Sequence, residues 1–149
     1  MSWWTACAQR TLTEQIPAPP ADVRAFYLDL NNIALVHPLV TSVRPIARSA
    51  DGNRRTYRVH DRIPLGPLTI RVSYLTTLHI RPSGEVLTEA RQFPRVRLHG
   101  VVTFAPAGAG TRLTERIRIE APRGLAALTT REAVKAHTAM LAGIRRHFS

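Results

Sequence analysis

Cysteine is nearly missing from this chain. Cys7 is the only one among 149 residues, so no internal disulfide can form and a CxxC metal site is excluded. Lysine is as scarce: 20 of the 21 basic residues are arginine, and only Lys135 is not. Acidic side chains number 10, which leaves a formal net charge of +11. No stretch approaches the roughly 18 consecutive apolar residues needed to span a bilayer. Met1-Ser-Trp-Trp4 has neither a basic start nor an apolar run behind it, so it does not read as a secretory signal, and a cytoplasmic protein is expected. The phosphate-cradling GxGxxG and P-loop motifs are absent, as are the GxSxG nucleophile elbow and the HExxH zinc motif. No cofactor, neither metal nor nucleotide, is therefore expected.

What remains is an ordinary globular composition. With 44% hydrophobic residues the chain has enough apolar material for a substantial core, and its length suits one domain over residues 1–149. The arginine excess is open to two explanations. GC-rich coding favours arginine over lysine, whereas a basic surface can also signal an anionic partner. Where the arginines lie must decide.

The last third carries the most information. A turn at residues 107–110 leads into the alternating segment Thr111-Arg-Leu-Thr-Glu-Arg-Ile-Arg-Ile-Glu120. Ala-Pro-Arg-Gly124 breaks it, and helical spacing without proline runs from Leu125 to Phe148. Upstream, residues 6–16 read as a strand ended by Pro17-Ala-Pro-Pro20. A short helix over 21–30 follows, with Val23, Phe26, Tyr27 and Leu30 on one side, and then at most one further short helix over 33–37. Strands are predicted over 39–48, 54–65, 68–81, 85–93, 96–105 and 111–120, separated by turns rich in Gly, Pro, Asp and Asn. The order is β-α-α-β6-α, an α+β chain with a seven-stranded antiparallel sheet and one long C-terminal helix. That helix must bury its apolar stripe on the sheet, and a strongly curved sheet would leave a pocket between them.

Strand alternation assigns faces. Tyr57, Val59 and Ile63 bring Asp61 inward. Tyr74 and Thr76 point in with Leu68, Ile70, Val72, Leu78 and Ile80, Phe104 with Val96, Leu98 and Val102. Leu113, Ile117 and Ile119 bring Glu115 inside. On the last helix Val134, His137, Leu141, Ile144 and Phe148 recur at steps of three and four. Eight arginines (Arg58, Arg62, Arg71, Arg81, Arg97, Arg112, Arg116 and Arg118) fall on the outward parity, as do His60, His79 and His99, which argues against a metal cluster. The basic outer face has no interleaved aromatics and no groove-reading helix, so no specific nucleic-acid partner is expected. Its acids Glu85, Glu89 and Glu120 are expected to pair with some of the arginines.

Asp61 and Glu115 are residues a purely apolar core would not contain, since a buried carboxylate is costly unless hydrogen-bonded. Either they pair with Tyr57, Tyr74 or His137, or they orient a bound molecule. His137 can likewise be a hydrogen-bonded core residue or a ligand contact. His37 stands before Pro38, where the mouth of a cavity could lie or the helix simply ends.

The element order, the Pro-rich helix start, the turn Ile63-Pro-Leu-Gly-Pro-Leu68 and the stretch Gly110-Thr-Arg-Leu-Thr through Pro122-Arg-Gly124 resemble the START/Bet v 1-like (SRPBCC) superfamily, in its bacterial polyketide cyclase/dehydrase-like branch. The resemblance covers essentially the whole chain. It implies the helix-grip fold, a curved sheet around the last helix, with a deep cavity for lipids, polyketides or similar molecules. The cyclases among these proteins place an arginine and hydroxyls inside, whereas here parity sends nearly all arginines outward, and no catalytic residue transfers.

The expected function is the binding of a hydrophobic or amphipathic small molecule between sheet and helix. Tyr57, Asp61, Tyr74, Thr76, Glu115 and His137 are the candidate polar contacts, and Phe104, Leu113, Leu141 and Ile144 the apolar wall. Two alternatives stand beside it: a polyketide aromatase/cyclase-dehydratase working through acid–base groups in the cavity, and a peripheral binder of anionic membranes or nucleic acid through the arginine face. A monomer or homodimer is expected, without a transmembrane segment.

Overall fold

The computed structural model describes residues 4–149; residues 1–3, part of the stretch read for a secretory signal, lie outside it. Along the chain come β1 (Thr5–Ile16), α1 (Pro20–Leu28), α2 (Leu30–Val36), β2 (Val40–Arg48), β3 (Arg54–Leu65), β4 (Leu68–Ile80), β5 (Val86–Gln92), β6 (Val96–Ala107), β7 (Gly110–Pro122) and α3 (Arg123–His147). This is the expected order. The seven strands form one antiparallel sheet in the order β1-β7-β6-β5-β4-β3-β2. The two short helices therefore carry the chain from one sheet edge to the other, and the curved sheet grips α3.

Local chemistry sets these boundaries. Pro20 sits in the first turn of α1, where its missing N–H costs nothing. Asp29 separates the two short helices, and its Oδ1 accepts the Asn31 N–H at 3.0 Å, capping α2. Pro38 then forbids continuation. In the β2–β3 turn, Gly52 adopts φ +75°, and Asp51 Oδ1 accepts the Asn53 N–H at 2.9 Å.

The core is densest around the C-terminal half of α3. Met140, Leu141 and Ile144 pack with Ile16, Val23, Phe26, Val102 and Leu113, all buried. Each such side chain contributes about 1.5–3 kcal/mol through removal from water. Gly143 lets α2 lean on α3 here, since a Cβ at this position would lie 2.8 Å from Val36 Cβ.

Toward its N-terminus the same helix stays on one side of the sheet. It packs against β1 and β7, leaving the inward faces of β3 and β4 largely uncovered. Hence Leu68 and Ile70, inward by parity, are 67% and 41% exposed. The residues of α3 that face this gap are Leu125, Leu128, Thr129, Glu132, Ala133, Ala136 and His137, of which only His137 belongs to the stripe expected.

On the outer face, register places Arg44 opposite Arg58, Arg58 opposite Leu75, Leu75 opposite Arg91 and Arg91 opposite Arg97, one row across five strands. The acids expected to pair do so: Arg81–Glu85 at 3.4 Å, Arg91–Glu89 at 2.6 Å and Arg118–Glu120 at 3.1 Å. These pairs are exposed and each adds at most about 1 kcal/mol.

Candidate functional site

The gap beneath the N-terminal half of α3 is a cavity of about 550 Å³. Its walls are mostly aliphatic: Ile63 from β3, Ile70 and Val72 from β4, Val96 and Leu98 from β6, Leu125 and Leu128 from α3. His37, Asp61, Tyr74 and His137 supply polar groups, with Thr129 and Glu132 of α3, Gln92 of β5 and Arg71 of β4, an arginine that parity places outward, also on the lining. A smaller chamber of about 90 Å³ lies behind it, reached past His37, Tyr74 and His137, which line both spaces. Thr76 and Thr88 belong to that inner chamber.

Asp61 is 6% exposed. Its Oδ2 accepts the Tyr74 hydroxyl at 2.9 Å, while Oδ1 has no hydrogen-bond partner. Burial pushes its carboxyl up to about 6, only partly offset by the Tyr74 hydrogen bond and by the charges of His137 and His60. The Tyr74 hydroxyl is pushed upward by burial and by Asp61, so it remains a donor.

Behind this pair stands a second one. Glu115, 2% exposed on β7, accepts the Tyr27 hydroxyl of α1 at 3.0 Å through Oε2. Its Oε1 lies 2.6 Å from His137 Nδ1 of α3. One carboxylate thus ties three elements together. Burial works against a charged His137 ring, but the Glu115 charge and hydrogen bond, with help from Asp61, raise its pKa on balance. Donation from Nδ1 leaves Nε2 as the ring's free nitrogen.

His37 behaves oppositely. Its pKa falls to about 3, through burial first and the positive charge of His137 second, so the ring is neutral. Nδ1 accepts the Leu39 N–H at 3.2 Å, which assigns the proton to Nε2. The two rings meet edge to face with centroids 5.2 Å apart. The site therefore presents a carboxyl that changes charge near neutral pH, a fixed donor ring, and a carboxylate-held imidazole, all against an apolar wall. No three His, Cys, Asp or Glu side chains among the described residues converge to hold a metal ion.

Of the residues expected to form the site, Asp61, Tyr74 and His137 line the cavity, Thr76 the inner chamber, and Glu115 stands one residue back, acting on the cavity through His137. The other five lie elsewhere. The Tyr57 hydroxyl donates to the Leu28 carbonyl at 3.2 Å, and Phe104 packs edge-on against Tyr27 at 5.9 Å. Leu113, Leu141 and Ile144 sit in the sealed core, because the half of α3 that carries Leu141 and Ile144 is seated flush. Parity reveals only which face a residue takes, and this inward face has a packed end and a hollow end.

Tyr27 and the α3 stripe from Leu125 to Ala136 escaped the sequence reading. The stripe had a signal, since 125, 128, 129, 132, 133 and 136 also recur at steps of three and four. Tyr27 stood on the apolar side of its helix, but nothing in its position announces a partner 88 residues away. Phe93, in the β5–β6 turn, is 90% exposed at the cavity mouth.

A curved antiparallel sheet, a C-terminal helix packed flush at one end and bordering a void at the other, and a polar cluster inside that void define a helix-grip cavity protein. The sequence model described as polyketide cyclase / dehydrase and lipid transport matches residues 8–149, and the chain belongs to that family. Among solved structures, TTHA0849 from Thermus thermophilus is 22% identical over 93% of this chain and 95% of that one, with a TM-score of 0.77. The Zhui aromatase/cyclase from Streptomyces sp. R1128 also reaches 0.77, at 14% identity over 96% and 93% of the two chains. A START superfamily protein from Mycobacterium smegmatis reaches 0.65 at 17% identity, covering 90% and 97%. At such identities the likeness is one of fold. No curated protein sequence matches the chain.

Proposed function

We propose that this chain binds a largely apolar small molecule in the 550 Å³ cavity, with a hydroxyl or similar donor of that molecule directed at Asp61. The observation that carries this is Asp61 Oδ1, a buried carboxyl oxygen without a partner beside an apolar void. Leaving such an atom unsatisfied costs about 1–3 kcal/mol or more, which a ligand donor would recover. His37, a neutral ring with its proton on Nε2, would donate to a ligand carbonyl. Native mass spectrometry of the purified protein, with solvent extraction, tests the reading. Wild type should carry or take up a small molecule, and Ala133→Trp, which fills the void from α3, should not. Equal uptake by both proteins would sink it.

A second reading draws on the Glu115–His137 pair and on Asp61 titrating near pH 6. An imidazolium held by a carboxylate, facing a carboxyl that ionises near pH 6, suits loss of water from a β-hydroxy ketone. Ionised Asp61, through its unpartnered Oδ1, would remove the proton beside the carbonyl, and protonated His137 would release the hydroxyl as water by donating from Nε2. This predicts turnover by wild type and none by His137→Gln. A wild-type rate no higher than that of buffer rejects it.

A further inference from the structure

Beside the mouth of the cavity lies a second, open cleft of about 480 Å³. Gln92, Phe93 and Val96 line both spaces, so the two adjoin across the β5–β6 turn. Their chemistry differs sharply. The cleft is lined by three arginines, Arg91, Arg95 and Arg97, none of them buried, and by one acid, Glu120.

Arg91 and Arg97 are register partners, so like charges stand directly opposite one another, an arrangement that disfavours the bare hairpin. Arg95 adopts φ +66° in the turn, a conformation in which glycine would be relaxed and arginine is not. The acids nearby are already engaged, Glu89 with Arg91 at 2.6 Å and Glu120 with Arg118 at 3.1 Å. Arg95 and Arg97 form no ion pair among the described residues. A charged turn at a conformationally costly position, next to an apolar opening, is the sort of surface a guanidinium-binding anion would complete.

We propose that this cleft is a head-group site for a phosphate-class anion, and that the molecule entering the cavity carries such a group at its outer end. The inference rests on the cavity binding a ligand, and it adds the ligand's orientation and polarity. Going in head first, an anion would meet the unpaired carboxyl oxygen of Asp61 and lose its hydration among largely aliphatic walls, whereas the exposed arginines outside ask for neither. Held by Arg95 and Arg97 outside, it leaves the apolar part to pass Phe93 into the void. Opposite ends of the ligand then meet opposite chemistry, donor groups inward to Asp61 and anion outward to arginine.

The test compares a soluble single-chain alkyl phosphate with the alcohol of the same chain, at about 150 mM salt, where screening removes diffuse attraction beyond roughly 8 Å. Wild type should bind the phosphate about tenfold more tightly than the alcohol, as expected of charge-assisted hydrogen bonds. The Arg95→Gln/Arg97→Gln protein should lose that preference and keep its affinity for the alcohol. Arg44→Gln/Arg58→Gln, which removes the same charge from the far side of the outer face, should retain the preference. Equal binding of phosphate and alcohol by wild type, or equal loss in both double variants, overturns the proposal. If the alcohol does not bind while inorganic phosphate still shifts the Arg95 and Arg97 side-chain resonances, the cavity reading fails and the anion site stands. Sedimentation with phosphatidylcholine vesicles containing about a fifth anionic phospholipid separates the two sources of such a group. Retention dependent on Arg95 and Arg97 assigns it to a bilayer lipid, and its absence beside an intact preference for alkyl phosphate assigns it to a free molecule.

Discussion

Replacing Asp61 by asparagine should make the empty protein more stable, and increasingly so as pH rises. The substitution keeps the shape and the oxygen that accepts the Tyr74 hydroxyl, and it removes only the titration. In the folded chain the carboxyl titrates near 6 instead of its ordinary 3.8, chiefly because it is buried. A raised acid pKa means that the native state holds the proton more tightly than the unfolded chain, so stability is lost as pH climbs through that window. At 1.36 kcal/mol per tenfold, full ionisation costs the wild type about 3 kcal/mol. At about pH 4 only about 0.5 kcal/mol of this is felt, so the gap between Asp61→Asn and wild type should widen by about 2.5 kcal/mol by about pH 8. For a chain of this size that corresponds to roughly 5–10 °C in melting temperature. Thermal and urea unfolding of both proteins across that range measures it. A gap that stays constant with pH would refute the placement of Asp61 as a buried, half-satisfied acid.

Other consequences can be checked as directly. Glu115→Gln should lower the His137 pKa in an NMR titration and remove the stability that the raised histidine contributes at low pH and loses as pH passes its folded pKa; an unchanged titration would contradict the pair. Glu115→Ala, which strands the Tyr27 hydroxyl and the His137 ring together, should cost about 3–5 kcal/mol in urea unfolding, and a cost below about 1 kcal/mol would mean that the clasp is unimportant. Gly143→Ala should destabilise by about 1–2 kcal/mol, because the clash with Val36 outweighs roughly 1 kcal/mol of gained helix propensity; a more stable protein would show that α2 can simply step aside. Filter binding to DNA or RNA at about 150 mM salt should detect only weak, salt-sensitive association, and a sub-micromolar affinity would make the arginine face a nucleic-acid surface after all.

Much of the fold was legible because its strands are amphipathic. Alternation alone carried Asp61 and Glu115 to the inside, and they are 6% and 2% exposed. The bounds of β3 fell at residues 54–65 because a Gly-Asn turn and a Pro-Leu-Gly-Pro turn flank it. Legibility ended where a decision needed three dimensions. Helix α3 buries two faces in succession, Met140, Leu141 and Ile144 on the core and Leu125 to Ala136 over the void, so no single stripe describes it. The tautomer of His37 depends on the Leu39 N–H, and the partner of Glu115 on a tyrosine from the opposite end of the chain. Neither relation leaves a trace in residue spacing.

The uneven seating of α3 has a mechanical consequence. The helix is a beam held at both ends: Ile144 and Met140 are locked into the core, Arg123 follows directly from β7 and donates its N–H to the Trp4 carbonyl at 2.9 Å, and the turns from Leu125 to Ala133 between them border an empty space on one side. A span of this kind bends before the packed part does, because fewer apolar contacts oppose its movement. A molecule filling the void props it up, supplying from outside the packing that the chain does not supply for itself. Occupancy and rigidity at this end of the protein are then the same variable, and a partner or protease sensitive to the first turns of α3 would in effect be reading whether the cavity is full.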